Sequence, residues 1–211
     1  MEGAHSPFYS WYCRNDSDKY YWRIGKKDFS VTDLYNSQIK VLFNAIMDFS
    51  TKLHTFVTES AHTQRIVSLQ IASRKIAEAT KNVGLLQKNM KKHDLGSNEA
   101  LRKEYDDMRL DLGRLLRMIE EIKDLNEDKE LLQKKQDLKA QKKFFKAQDK
   151  QAFEVVEKLI AQNAIDSKDG TSLLNDLSFT HSVAKELIAA ANHIYGLSNI
   201  RDIEEQDTPV V

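Results

Sequence analysis

"TSLLNDLSFTHSVAKELIAAANHIYG", residues Thr171 to Gly196, repeats at Leu177, Thr180, Ala184, Leu187, Ala191 and Ile194. Steps of three and four residues are the period of one helix face. Its first half also carries Asn175, Asp176, Ser178, Thr180, His181 and Ser182. That polar cluster is either a site or the wet side of a packing helix. The preceding "DSKDG", ending in Asp169 and Gly170, reads as a turn. Thr171 then caps the helix, and Gly196 stops it.

Working outward, the same period recurs. Tyr35, Ile39, Leu42, Ile46, Phe49, Leu53 and Phe56 form one seam on a helix starting near Val31, with Ser30 and Asp33 as a capping box. Leu69, Ala72, Ile76, Ala79, Val83, Leu86 and Met90 form a second, inside a helix from about His62 to Lys92. Its small residues let a neighbour approach closely. "HDLGSN" breaks the pattern, with Gly96 as stop and Ser97 or Asn98 as the next cap. Leu101, Tyr105, Met108, Leu112, Leu115, Ile119 and Ile122 make the third seam. Beyond Leu125 the apolar positions thin to Leu131, Leu138, Phe145 and Ala152, once per seven residues. This part reads as more exposed, or as divided by a kink near Asn126. A fourth stripe is Phe153, Val156 and Ile160.

Stripes of this kind must be buried against one another, and short connections favour antiparallel neighbours. The expected fold is all-α, an antiparallel up-and-down bundle of four to six helices over residues 30–196. A coiled-coil dimer is the competing arrangement, since sustained heptads are also its pattern. The composition agrees: 211 residues hold only 7 Gly and 2 Pro, with 30% charged residues, which suits helices and leaves few turn positions for a sheet.

Thirty-two basic residues balance 32 acidic ones, so net charge does not point to nucleic acid. A single cysteine, Cys13, excludes an intrachain disulfide and a Cys-rich zinc site. No window reaches the roughly 18 to 20 apolar residues that cross a bilayer, and no signal peptide opens the chain. A soluble, cytoplasmic protein is expected.

Residues 1–29 differ from the rest, with both Trp residues in "FYSWYC" and "YYWRI" around "RNDSD". They read as an aromatic hairpin or extended segment covering one end of the bundle, or as an interfacial belt at a membrane. The last residues, 197–211, are polar and read as a fraying tail.

Candidate chemistry is sparse. Glu59 and His62 have the Glu-x-x-His spacing of di-iron bundles, but no second pair exists. Asp107 and Asp111, at i and i+4 with Glu104 a turn earlier, either offer oxygen ligands to a divalent or transition metal or lie on a solvated face. "KKQDLKAQKKFFKAQDK", Lys134 to Lys150, is a basic run with Phe144 and Phe145 embedded. It is either a projecting solvated helix or a peripheral contact with anionic lipid or a nucleic-acid backbone. No nucleophile–base arrangement and no glycine-rich phosphate loop is present. No enzyme activity is expected.

Three stretches together, "KNVGLLQKNM" (Lys81 to Met90), "LRKEYDDMRLDLGRLLR" (Leu101 to Arg117) and "TSLLNDLSFTHSVAKELIAAA" (Thr171 to Ala191), resemble one family. It is the PhoU-like helical domain, the cytoplasmic C-terminal part of bacterial sodium/phosphate cotransporter family proteins. The resemblance covers residues 31 to 196 and leaves the aromatic leader unexplained. It implies a bundle that does no chemistry and regulates phosphate uptake through contacts with a membrane transporter or its transmembrane part. Such a domain would sit at the inner face of the cell membrane, as a monomer or homodimer. Asn175 and Asp176 look like a structural signature at the start of a packing helix, with a partner-contact role second. The wider group binds metal through Glu- or Asp-x-x-x-Asp motifs. Here "EATKN" ends in Asn82, and only Asp107 to Asp111 keeps the acidic spacing.

Overall fold

The computed structural model describes residues 30–56, 59–94 and 96–197. The chain divides into two units, Met1–Ser30 and Val31–Val211. The hairpin expected for 1–29, and the tail beyond Leu197, lie outside the described residues.

Five helices follow one another, as an all-α bundle requires. The first, α1, is α-helical over Val31–Leu34, π-helical over Tyr35–Ile39 and α-helical again over Lys40–His54. Then come α2 (Ser60–Asp94), α3 (Glu99–Ile122), α4 (Asp128–Ala161) and α5 (Ser167–Ile194). Among the described elements α2, α3, α4 and α5 close a four-helix ring: α2 touches α3, α3 touches α4, α4 touches α5 and α5 touches α2. The α3–α5 contact is the diagonal of that ring. By contrast α1, among the described elements, touches only α2.

The most extensive contact is α2 against α5. Polar ties mark it along its length: Asn89 to Asp176 at 2.8 Å, Lys75 to Glu186 at 2.6 Å and Ser68 to His193 at 2.9 Å. Both helices also bury small residues, Ala72 and Ala79 on α2 and Ala190 and Ala191 on α5. Arg65 adds a cap, its guanidinium donating to the carbonyls of His193 (3.0 Å) and Ile194 (2.7 Å) at the C-terminus of α5. A cation there satisfies carbonyls that the helix leaves without partners.

Two apolar clusters fill the ring. One joins Leu115 and Ile122 to Leu138, Phe145, Ala184, Ile188 and Leu197; the other joins Leu101, Tyr105 and Met108 to Val156, Ile165 and Leu173. The sparse heptad of α4 is therefore its core seam. Leu138, Phe145 and Ala152 are buried, while Phe153 of the expected fourth stripe is 65% exposed. One large side chain per two turns suffices because α3 and α5 crowd α4 from both sides.

The start of α5 also differs from expectation. Asp169 and Gly170 lie inside its first turn, and the cap is Asp166, whose carboxylate accepts from the Asp169 amide at 2.7 Å. Thr171 is one turn into the helix. Gly170 is there for space: a Cβ at this position would stand 2.8 Å from Cδ1 of Ile160 and 3.0 Å from Cγ1 of Val156. The real break is the turn before Asp166, where Asn163 takes a left-handed φ of 54°. Asn98 caps α3, accepting from the Leu101 amide at 3.1 Å, and the chain is interrupted around Asn126 between α3 and α4. Gly196, at φ +67°, ends α5 where a side chain would be strained.

Candidate functional site

The buried face of α5 keeps Thr180, Ala184 and Ala191 of the seam read from the sequence and widens from it to Leu173, Asp176, Val183 and Ile188. The polar cluster of its first half is thereby split: Asp176 and Thr180 face inward, whereas Asn175 and Ser178 are exposed. Thr180 meets its own need by donating to the Asp176 carbonyl at 2.8 Å.

Asp176 is 2% exposed, and a carboxylate so placed needs donors. Two neighbouring helices supply them. The Tyr105 hydroxyl of α3 donates to Oδ2 at 2.6 Å, and the Asn89 amide of α2 donates to the same oxygen at 2.8 Å. Asn89 also donates to the Ser172 hydroxyl, one turn before Asp176, at 3.0 Å. The buried ring of His93 stacks on Tyr105, with ring centroids 4.8 Å apart and planes 7° from parallel. One oxygen thus ties α2, α3 and α5 together.

Burial pushes the Asp176 carboxyl above its usual range, and the Tyr105 and Asn89 donors pull it partly back. Burial, then the bonded Asp176 carboxylate, hold the Tyr105 hydroxyl far above the ordinary phenol range, so it stays a donor. Burial, then the Lys92 charge, hold His93 below 6.5.

Other carboxylates make similar ties. Glu186 of α5 meets Lys75 of α2 at 2.6 Å, and this hydrogen bond raises the Lys75 pKa. Asp149 of α4 lies 3.3 Å from Nδ1 of His181 on α5. Asp111 of α3 accepts from Gln148 of α4 at 3.0 Å and from Arg114 at 3.2 Å. Each adjacent pair of helices in the ring except α2–α3, which Asp176 bridges, has its own carboxylate contact.

Asp107 and Asp111 do not converge on a shared point with other ligands. Asp111 is buried and spent on Gln148 and Arg114, while Asp107 is exposed, its pKa raised by partial burial and by Asp111. Glu59 and His62 pair with each other at 2.9 Å on the outside. Among the described residues no group of three or more His, Cys, Asp or Glu side chains could hold a metal ion.

Asn89, Tyr105 and His93 were not singled out by sequence, yet one signal was available. A tyrosine on a core seam brings a hydroxyl that must find a partner inside, and Asp176 on the facing helix is the acidic residue in seam register. Chemically, both donors converge on one oxygen and neither is poised to move a proton, so the cluster is a latch. Comparison with models of known protein families, with curated proteins and with solved structures gives no match for this chain.

Proposed function

We propose that this chain is a non-catalytic regulatory helical domain that acts through contact with a membrane transporter of the sodium/phosphate cotransporter type, at the inner face of the cell membrane. The observation that supports this reading is where the three resembling stretches meet. Lys81 to Met90 contributes Asn89, Leu101 to Arg117 contributes Tyr105, and Thr171 to Ala191 contributes Asp176. Stretches separated in sequence thus carry the parts of one buried latch, as expected if they define a common bundle rather than imitate one another by leucine and lysine content. No helix among the described residues is long and apolar enough to cross a membrane.

The test is reconstitution. The purified chain is added to proteoliposomes containing the membrane part of a sodium/phosphate cotransporter from the same source, and sodium-dependent phosphate uptake is followed. A saturable change in uptake, with co-flotation of chain and transporter, is the expected result. Unchanged uptake without co-flotation contradicts the proposal. A scaffold at the membrane surface is the second reading, favoured by the lysine-rich face of α4.

A further inference from the structure

The α4 helix holds its core face rigidly, with Leu138, Phe145, Ala152 and Val156 buried. Its lysines are therefore displayed in fixed register. At 3.6 residues per turn, Lys139, Lys142, Lys143, Lys146 and Lys150 fall within about 100° of arc. All five are exposed, and none takes part in an ion pair within the described structure. The acids of the same stretch are engaged elsewhere: Asp137 accepts from Gln133 at 2.9 Å, and Asp149 meets His181. In a chain with 32 basic and 32 acidic residues this is a local concentration of positive charge.

A turn beyond Lys150, Phe153 continues the stripe and is 65% exposed. Beside it, between α4 and the start of α5, opens a largely apolar groove of about 370 Å³, lined by Phe153, Val156, Ile160 and Leu174 with Glu157, Ser167 and Thr171 on its walls. Glu154 and Glu157 end the basic stripe there. The face is thus about 21 Å long, basic along its length and apolar at one end.

We infer that this face docks on an anionic phospholipid surface. The lysines would meet headgroup phosphates, and Phe153 would enter the acyl boundary with the groove taking a chain end. Charge alone fits any polyanion; the exposed phenyl ring and the largely apolar groove beside it favour lipid over a nucleic-acid backbone. This inference stands apart from the transporter reading, because its test contains no other protein.

The whole chain is sedimented with vesicles of phosphatidylcholine, with and without about three parts in ten of phosphatidylserine, at about 0.1 M and about 0.5 M salt. Binding is expected only to the anionic vesicles and is released by salt. Lys139→Gln/Lys143→Gln/Lys146→Gln should weaken it about a hundredfold, at about fivefold per lysine. Phe153→Ala should weaken it about tenfold without changing the salt dependence. All four positions are exposed, and unchanged thermal unfolding confirms that the variants fold. No binding to anionic vesicles at low salt overturns the inference, as does equal binding by the triple variant. Binding to duplex DNA as tight as to vesicles, with Phe153→Ala indistinguishable from the parent, also overturns it in favour of a general polyanion face.

Discussion

Helices α1 and α5 are both amphipathic, but they hold very different places in the molecule. Ten residues of α5 are buried, and it touches α2, α3 and α4. In α1 only Val31 and Ser50 are buried, and Leu42 and Phe49 stand 59% and 67% exposed, as does Phe56 in the turn after it at 81%. An apolar period shows that a helix has a face, not that the face has a partner. What separates the two is polar: α5 is fixed by Asp176, His181 and Glu186 reaching three neighbours, while α1 is held to α2 by the Val31 amide donating to Gln87 at 2.9 Å and by weakly buried side chains.

The largest expected contrast is between two phenylalanines. Phe145→Ala, at 1% exposure, should cost about 3–5 kcal/mol through lost burial and the cavity left behind. Phe49→Ala on α1 should stay within about 0.5 kcal/mol. Denaturant unfolding of both variants measures this. Equal costs would mean that α1 belongs to the same packed core.

The latch is tested next. Asp176→Ala removes the acceptor of a buried hydroxyl and of a half-buried amide, for about 3 kcal/mol and a fall in Tm on the order of 10 °C. Asp176→Asn can present its amide oxygen where both donors converge, so it should lie within about 1 kcal/mol of the parent. Thermal unfolding decides. If both variants lose alike, the charge matters and not the shared acceptor.

Much of this architecture was legible in the sequence. Three-four periodicity located α1, α2, α3 and α5, and Gly96, Ser97 or Asn98, and Gly196 marked ends, because caps and breaks are local chemistry; of α4 the sequence showed only a thinning seam, one alternative being a kink near Asn126. Four things were not legible, since each depends on a neighbour brought from far away. The once-per-seven spacing of Leu138, Phe145 and Ala152 reads either as a more exposed helix or as a break near Asn126; the break is there, and the three residues are buried in the bundle. Asp169–Gly170 reads as a turn, but Gly170 is the point where α5 packs on Ile160 and Val156. Asp176 stands out in the sequence as part of a polar cluster, but its donors lie 87 and 71 residues away. The Asp107 and Asp111 spacing gave no sign that Gln148 would take up one of the pair.

Gly170 gives a smaller effect. Gly170→Ala should cost about 1 kcal/mol, the strain of overpacking being partly offset by better helix propensity. In the Ile160→Val background, which removes the Cδ1 in the way, the same change should cost nothing or stabilise. Additive losses in this double-mutant cycle would rule out the contact as the reason for the glycine.

The smallest effect is in pH. His93 is held below 6.5 when folded, so as pH falls through 6.5 the unfolded chain takes up a proton that the native one refuses. Stability should therefore drop on acidification from 6.5 down to the folded-state value, then level off. Asp176, whose folded pKa is raised, contributes in the opposite sense: its native carboxyl protonates first as pH falls. Subtracting the pH–stability curve of His93→Phe from that of the parent isolates the histidine. A difference that does not vary between pH 7 and 5 would contradict its burial as a neutral ring.

Native-state hydrogen exchange on the whole chain tests the central claim most directly. Amides of α2, α3 and α5 around Asn89, Tyr105 and Asp176 should exchange only through global unfolding and lose protection together in Asp176→Ala, whereas those of α1 should exchange through local opening at rates the substitution leaves unchanged. Protection of α1 equal to that of α5, falling in step with it in Asp176→Ala, would contradict the account.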